Sequence, residues 1–318
     1  MELDAATEQA LAKGRRLLMS TVPESWPALA RLIAGSWPEA HPSALLSLPL
    51  AAALVCEGDP DDAAPVAAWW GGMNLALRIL DDLQDRDRAG GLWASWGDAR
   101  GFNAAAALRE LSTAALIAGV DDDRQLAALL RDATMGLSRV VAGQELDLTS
   151  IGHDVPGWWH VNRLKSGELF ALVLRLGARA SDAEEEEIEA LSKAGLELGM
   201  ALQLVDDWAS TDPAGDARDL LIGKASFAVR TGLQVARGAE REQLEALVDS
   251  PPPWPVAEVG GLLDRCGARG YTLWSAWEAA GRAREALAPF PAPRRALIEA
   301  YLDAALPPLP DSGPSTVA

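Results

Sequence analysis

Apolar residues recur along most of the chain at three- and four-residue spacing, the stripe that lets one helix face pack while the other meets water. Strict alternation of apolar and polar residues, the mark of a half-buried strand, is scarce, and Ala, Leu, Arg and Glu dominate the periodic segments. With Gly and Pro taken as boundaries, the pattern predicts helices over roughly 4–19, 24–35, 42–57, 62–85, 100–119, 123–148, 157–179, 183–211, 219–237, 239–248, 256–266, 269–287 and 292–305. PPPWP at 251–255 reads as a stiff connection, and PPLPDSGPSTVA from Pro307 onward as a disordered tail. No stretch reads as an interdomain linker. The expectation is one all-α domain over residues 1–306 with a tail over 307–318.

Composition narrows the function. The 318 residues are 49% hydrophobic, enough for a large core, and carry a formal net charge of −18. Nucleic acid and anionic membrane surfaces are poor partners for so acidic a chain, because phosphate binding needs a basic footprint. A diphosphate can still bind where divalent cations bridge the like charges. The longest apolar stretch, ALLSLPLAAALVC at 44–56, is too short for a membrane span and contains Pro49, so no membrane insertion is expected. The opening MELDAATEQALAKGRR lacks the apolar core of a signal peptide. Two cysteines, Cys56 and Cys266, without a CxxC pair, fit a cytoplasmic location. The three histidines, His41, His153 and His160, have no zinc-ligand spacing.

Acids end two of the most apolar helices. Asp81, Asp82 and Asp85 close ILDDLQD, where Asp81 and Asp85 stand four apart and share a face. Their charges repel each other and oppose the helix macrodipole, so a hard cation with oxygen ligands is the natural partner. A solvated acidic helix end, relieved by Arg86 and Arg88, is the alternative. A second cluster, Asp206 and Asp207, follows the apolar GLELGMALQLV, with Asp212 just beyond. Two such clusters suggest opposing walls of a metal site that holds a diphosphate.

In order, DDLQD (81–85), GQELD (Gln144, Asp147), Lys165–Ser166 in NRLKSGELF, LQLVDD (Gln203, Asp206, Asp207) and DLLIGKAS (Lys224) resemble the motifs of the trans-isoprenyl diphosphate synthase, or polyprenyl synthetase, family. The resemblance spans roughly residues 40–305. It implies the isoprenoid-synthase helical bundle around a deep central cavity, a prenyl diphosphate substrate, Mg²⁺ and a homodimer. It further implies that Asp81, Asp85 and Asp206 hold Mg²⁺, with Asp82, Asp207 and Asp212 in support. Arg88, Lys165, Lys224 and Gln203 would then serve the diphosphate. Asp206, Ser210 and Asp212 also resemble, out of register, the metal triad of terpene cyclases. Trp70 lies three helical turns, about 16 Å, below Asp81 on the same face. With Met73, Asn74, Ala76, Leu77, Gln144, Phe170 and Trp208 it is expected to line the pocket, interhelical packing being the alternative role for both tryptophans.

The chain also departs from the family. Chain-elongating members carry Gly-Gly-Lys-Arg before the first acidic motif, where GSWPEAHPS (35–43) has neither Lys nor Arg. The paired arginine after that motif is reduced to Arg88-Ala89-Gly90, Ser210 replaces the last aspartate of the second motif, and a lysine is missing near Ala214. These losses fall on the groups that serve a second diphosphate. The sequence expectation is therefore a class I terpene synthase that ionises a C15–C20 allylic diphosphate and cyclises or eliminates. The alternatives are a prenyltransferase, elongating a chain or alkylating an acceptor such as an indole, and a non-catalytic partner subunit. Twelve Trp against four Phe and two Tyr would suit carbocations, whose best π partner is indole.

Overall fold

The computed structural model describes residues 3–38, 44–85, 92–149, 154–215 and 217–309. Its helices are α1 (Ala5–Ser20), α2 (Pro27–Ser36), α3 (Leu48–Val55), α4 (Ala64–Gln84), α5 (Asp98–Gly119), α6 (Asp123–Thr149), α7 (Val155–Asn162), α8 (Glu168–Ala180), α9 (Glu185–Ala209), α10 (Arg218–Ile222), α11 (Phe227–Val235), α12 (Gly238–Val248), α13 (Val256–Arg265), α14 (Ala268–Leu287) and α15 (Ala292–Ala305). No strand occurs among the described residues. The all-α expectation holds.

Two predicted helices are interrupted. The 157–179 segment becomes α7, a π turn at Arg163–Gly167 and α8. The 219–237 segment breaks after Ile222, where Gly223 turns left-handed (φ +74). The Lys224 N–H then bonds back to the Asp219 carbonyl at 2.8 Å. Of the expected tail, residues 310–318 lie outside the described residues.

The chain divides into two compact units. The first comprises Met1–Gly136, Leu172–Ser192 and Leu287–Tyr301. Here α4 packs on α1 and α5. Asp4 caps α1 by accepting from the Thr7 N–H at 2.8 Å. A glycine at 14 lets α1 meet α4 closely, since a Cβ there would lie 2.8 Å from the Ala64 carbonyl oxygen. Leu11, Leu18, Leu29, Trp69 and Ile79 are fully buried. This packing positions the end of α4, and with it the first acids.

The second unit comprises Leu137–Ala171, Lys193–Ala286 and Leu302–Ala318. Leu220, Val229, Leu244, Trp254, Val259 and Leu263 form a buried cluster joining α10, α11, α12 and α13. The unit holds Lys165, Lys224 and the second acids. No helix among the described residues is long and apolar enough to cross a membrane.

Candidate active site

In the first unit, Asp81 and Asp82 sit in the last turn of α4, and Asp85 caps it, its N–H bonding to the Asp81 carbonyl at 2.8 Å. All three are half-buried. Asp82 turns aside from the 81/85 face, and its Oδ2 accepts from the Trp93 indole Nε1 at 2.8 Å. The Arg78 guanidinium lies over the same indole, 5.9 Å from its centroid. Asp82 is thus an anchor for the helix end, while Asp81 and Asp85 keep the shared face that helical spacing requires. Arg88 lies outside the described residues, as do 39–43 of the segment 35–43.

The pocket expectation on α4 meets a different arrangement. Trp70 is 0% exposed, and its Nε1 donates to the Leu45 carbonyl at 2.8 Å. Met73 and Ala76 are buried as well. These side chains are packed in the interior of the first unit. Asn74 faces a small cavity of about 20 Å³ with Trp37, Leu46 and Arg78. Leu77 is half-buried.

The second unit brings the predicted basic and acidic residues together. Lys165 Nζ lies 3.1 Å from Asp147 Oδ2, and Lys224 Nζ lies 3.9 Å from the same oxygen. Two cations on one carboxylate make a compact positive site, the kind an anion with several oxygens can occupy. Lys165 belongs to the π turn, and such turns gather at functional sites. Close approach of the flanking helices shapes it: a Cβ at Gly143 would fall 2.7 Å from the Lys165 nitrogen, and one at Gly199 2.3 Å from the Ser166 oxygen.

A hydrogen-bond relay links this turn to the second acids. Ser166 Oγ donates to Gln203 Oε1 at 2.7 Å, and Gln203 Nε2 donates to Asp207 Oδ1 at 2.8 Å. Asp207 Oδ2 accepts from the Trp158 indole Nε1 at 2.8 Å and from the Phe227 N–H at 2.6 Å. Asp207 is only 3% exposed. Burial pushes its carboxyl up to about 6, and the bonds from Phe227 and Gln203 hold it back. Among the residues expected to ligate or support a metal, Asp207 is therefore turned inward, its oxygens already engaged.

Ser210 is turned inward too. Its hydroxyl donates to Asp219 Oδ2 at 2.6 Å, both residues being buried. The sequence expectation, which gave Ser210 a metal role, did not include that contact. Burial raises the Asp219 carboxyl to about 7, with the charge of Asp207 adding to it and the Ser210 bond opposing it. Asp212 Oδ1 accepts from the Ala214 N–H at 3.0 Å and lies 3.5 Å from the buried Arg269, which stacks over Trp208. Asp212 thereby shapes its own loop. Asp206 alone of the second cluster is exposed, its side chain 57% accessible and Arg218 beside it at 3.4 Å. Gln144 and Phe170 are half-buried.

Sequence reasoning gave no role to Trp158, Arg218 or Asp219. Arg218 had a readable signal, being the sole Lys or Arg between Asp206 and Lys224. Trp158 had none, since its partner lies 49 residues away.

Among the described residues, no three His, Cys, Asp or Glu side chains converge into a ready-made metal cage. The carboxylates are instead offered singly or in pairs at helix ends. That suits Mg²⁺, which takes one or two carboxylates and completes its shell with waters and substrate phosphates.

Residues 43–256 match the family model described as polyprenyl synthetase. The chain is 29% identical over 247 residues to the geranylgeranyl diphosphate synthase of Mycobacterium tuberculosis, covering 74% of this chain and 69% of that one. It is 28% identical over 258 residues to a short chain isoprenyl diphosphate synthase of Methanothermobacter thermautotrophicus, covering 76% and 78%. Among solved structures it resembles a polyprenyl synthase from Caulobacter crescentus complexed with calcium and isoprenyl diphosphate. The TM-score is 0.83 at 23% identity, covering 95% of this chain and 96% of that one. At that identity the likeness speaks to the fold.

Proposed function

Since the chain belongs to the polyprenyl synthetase family, we propose that it is a Mg²⁺-dependent prenyltransferase that moves the allylic group of a prenyl diphosphate onto an acceptor double bond. Isopentenyl diphosphate is the acceptor of first choice, because the relatives quoted above are named as synthases of prenyl diphosphates. Cyclisation, expected from the sequence, gains no support from them and is replaced by transfer. The observation that carries the reading is the convergence of Lys165 and Lys224 on Asp147.

In this reading the two lysines bind the diphosphate and favour its departure with the electron pair of the allylic C–O bond; the acceptor's π electrons then form the new C–C bond, and the acceptor loses a proton. The paired Ser166 and Gln203 side chains, fixed through Asp207, hold the π turn that aims Lys165. Asp81 and Asp85 in the first unit, and Asp206 in the second, are the carboxylates that would hold Mg²⁺, whose chemistry is neutralisation of a leaving diphosphate. A second reading, transfer to an acceptor without a diphosphate, is favoured by the absence of Lys and Arg from 35–43.

The test is release of pyrophosphate from geranyl, farnesyl or geranylgeranyl diphosphate in the presence of acceptor. Lys165→Ala and Lys224→Ala should each slow it on the order of 10²-fold, as loss of one leaving-group donor does elsewhere. Full activity in both variants would contradict the reading.

A further inference from the structure

We propose that Arg218 is a diphosphate ligand: paired with Asp206 in this structure, it turns to the diphosphate when a cation occupies that carboxylate. The proposal rests on the diphosphate reading above and names a residue that reading does not use.

Three observations and one physical argument support it. The first is position. Arg218 is the sole Lys or Arg between Asp206 and Lys224, so it is the one cation of its segment between the exposed acid and the second lysine. The second is geometry. One guanidinium nitrogen straddles both carboxylate oxygens, 3.5 Å from Oδ1 and 3.4 Å from Oδ2. Those distances exceed the roughly 2.7–2.9 Å of a strong charge-assisted bond. With both side chains substantially exposed, such a pair is weak and readily exchanged.

The third is that the backbone around Arg218 is held in place. Ala217 is left-handed (φ +47, ψ 24), a conformation that costs a non-glycine residue energy and persists only where neighbours impose it. The neighbour is Asp219. Its N–H donates to the Ser210 carbonyl at 3.2 Å, and its carboxylate accepts from the Ser210 hydroxyl. An aspartate at 210 would replace that hydroxyl donor with a second acid beside the buried Asp219. Serine at 210 therefore supplies both contacts that hold Asp219, and with it the backbone that sets Arg218 beside Asp206.

The fourth is electrostatic. A divalent cation arriving on Asp206 competes for the same oxygens and repels the guanidinium. The anion that the cation brings offers the arginine fork a better-matched partner, since guanidinium pairs with phosphate through two parallel bonds.

Calorimetric titration of the full chain with inorganic pyrophosphate in saturating Mg²⁺ tests this. Arg218→Ala should weaken pyrophosphate binding about tenfold, the scale of one lost hydrogen bond to a charged group. Arg218→Lys should recover part of the loss, and the thermal unfolding midpoint of both variants should match the parent. Equal affinity in the parent and Arg218→Ala would overturn the proposal while leaving the diphosphate reading standing. A loss that lysine does not reduce, accompanied by a lowered midpoint, would make Arg218 structural and also overturn it. A parent protein that fails to bind Mg²⁺-pyrophosphate would remove both readings together.

Discussion

Asp207 and Asp219 behave least like ordinary aspartates. An unfolded aspartate ionises near 3.9. Burial raises Asp219 to about 7 in the folded chain, so from about pH 4 upward the unfolded chain gives up a proton that the folded chain keeps. The stability tied to this group is fully present below pH 4 and is lost as pH rises toward 7. Asp219→Asn removes the proton and keeps an acceptor for Ser210. Urea unfolding should therefore show stability falling from pH 5 to pH 8 more steeply in the parent than in Asp219→Asn. Parallel curves would mean that Asp219 ionises normally.

At this scale clustered acids and scarce lysines were conspicuous in the sequence, and they are the residue types on which the proposed chemistry rests. It did not tell which of two adjacent aspartates faces inward. Asp206 and Asp207 are separated only by donors that folding supplies, Trp158 and the Phe227 N–H.

At the scale of elements, the helices were legible because three- and four-residue apolar spacing repeats nearly without interruption. The two breaks were not, and both fall beside the site. Nothing local marks the π turn at Arg163–Gly167. It is held by close backbone approach, most directly where Gly199 of α9 meets Ser166. Gly199→Ala would place a Cβ 2.3 Å from a backbone oxygen that no rotamer can move away. It should cost about 1–3 kcal/mol in urea unfolding and lower activity further by displacing Lys165. Gly270→Ala is the matched control: α14 has open space there, and a helical Gly→Ala change should stabilise by up to about 1 kcal/mol. Equal effects of the two substitutions would contradict the packing account of the turn.

For the whole molecule, a net charge of −18 with four lysines means that anion binding must be local and cation-assisted. The family was legible from the order of five motifs rather than from any one of them. The fate of the allylic group was not. Missing basic residues in one short segment, five of whose nine positions lie outside the described residues, say which contacts are absent there. They do not say what attacks the cation, and relatives named as prenyl diphosphate synthases favour transfer over cyclisation. The decisive measurement is product analysis after incubating the full chain with Mg²⁺ and geranyl, farnesyl or geranylgeranyl diphosphate, each alone and each with isopentenyl diphosphate. The account predicts a prenyl diphosphate one isoprene unit longer that requires both substrates and Mg²⁺. A hydrocarbon or terpene alcohol formed from an allylic diphosphate alone would contradict it.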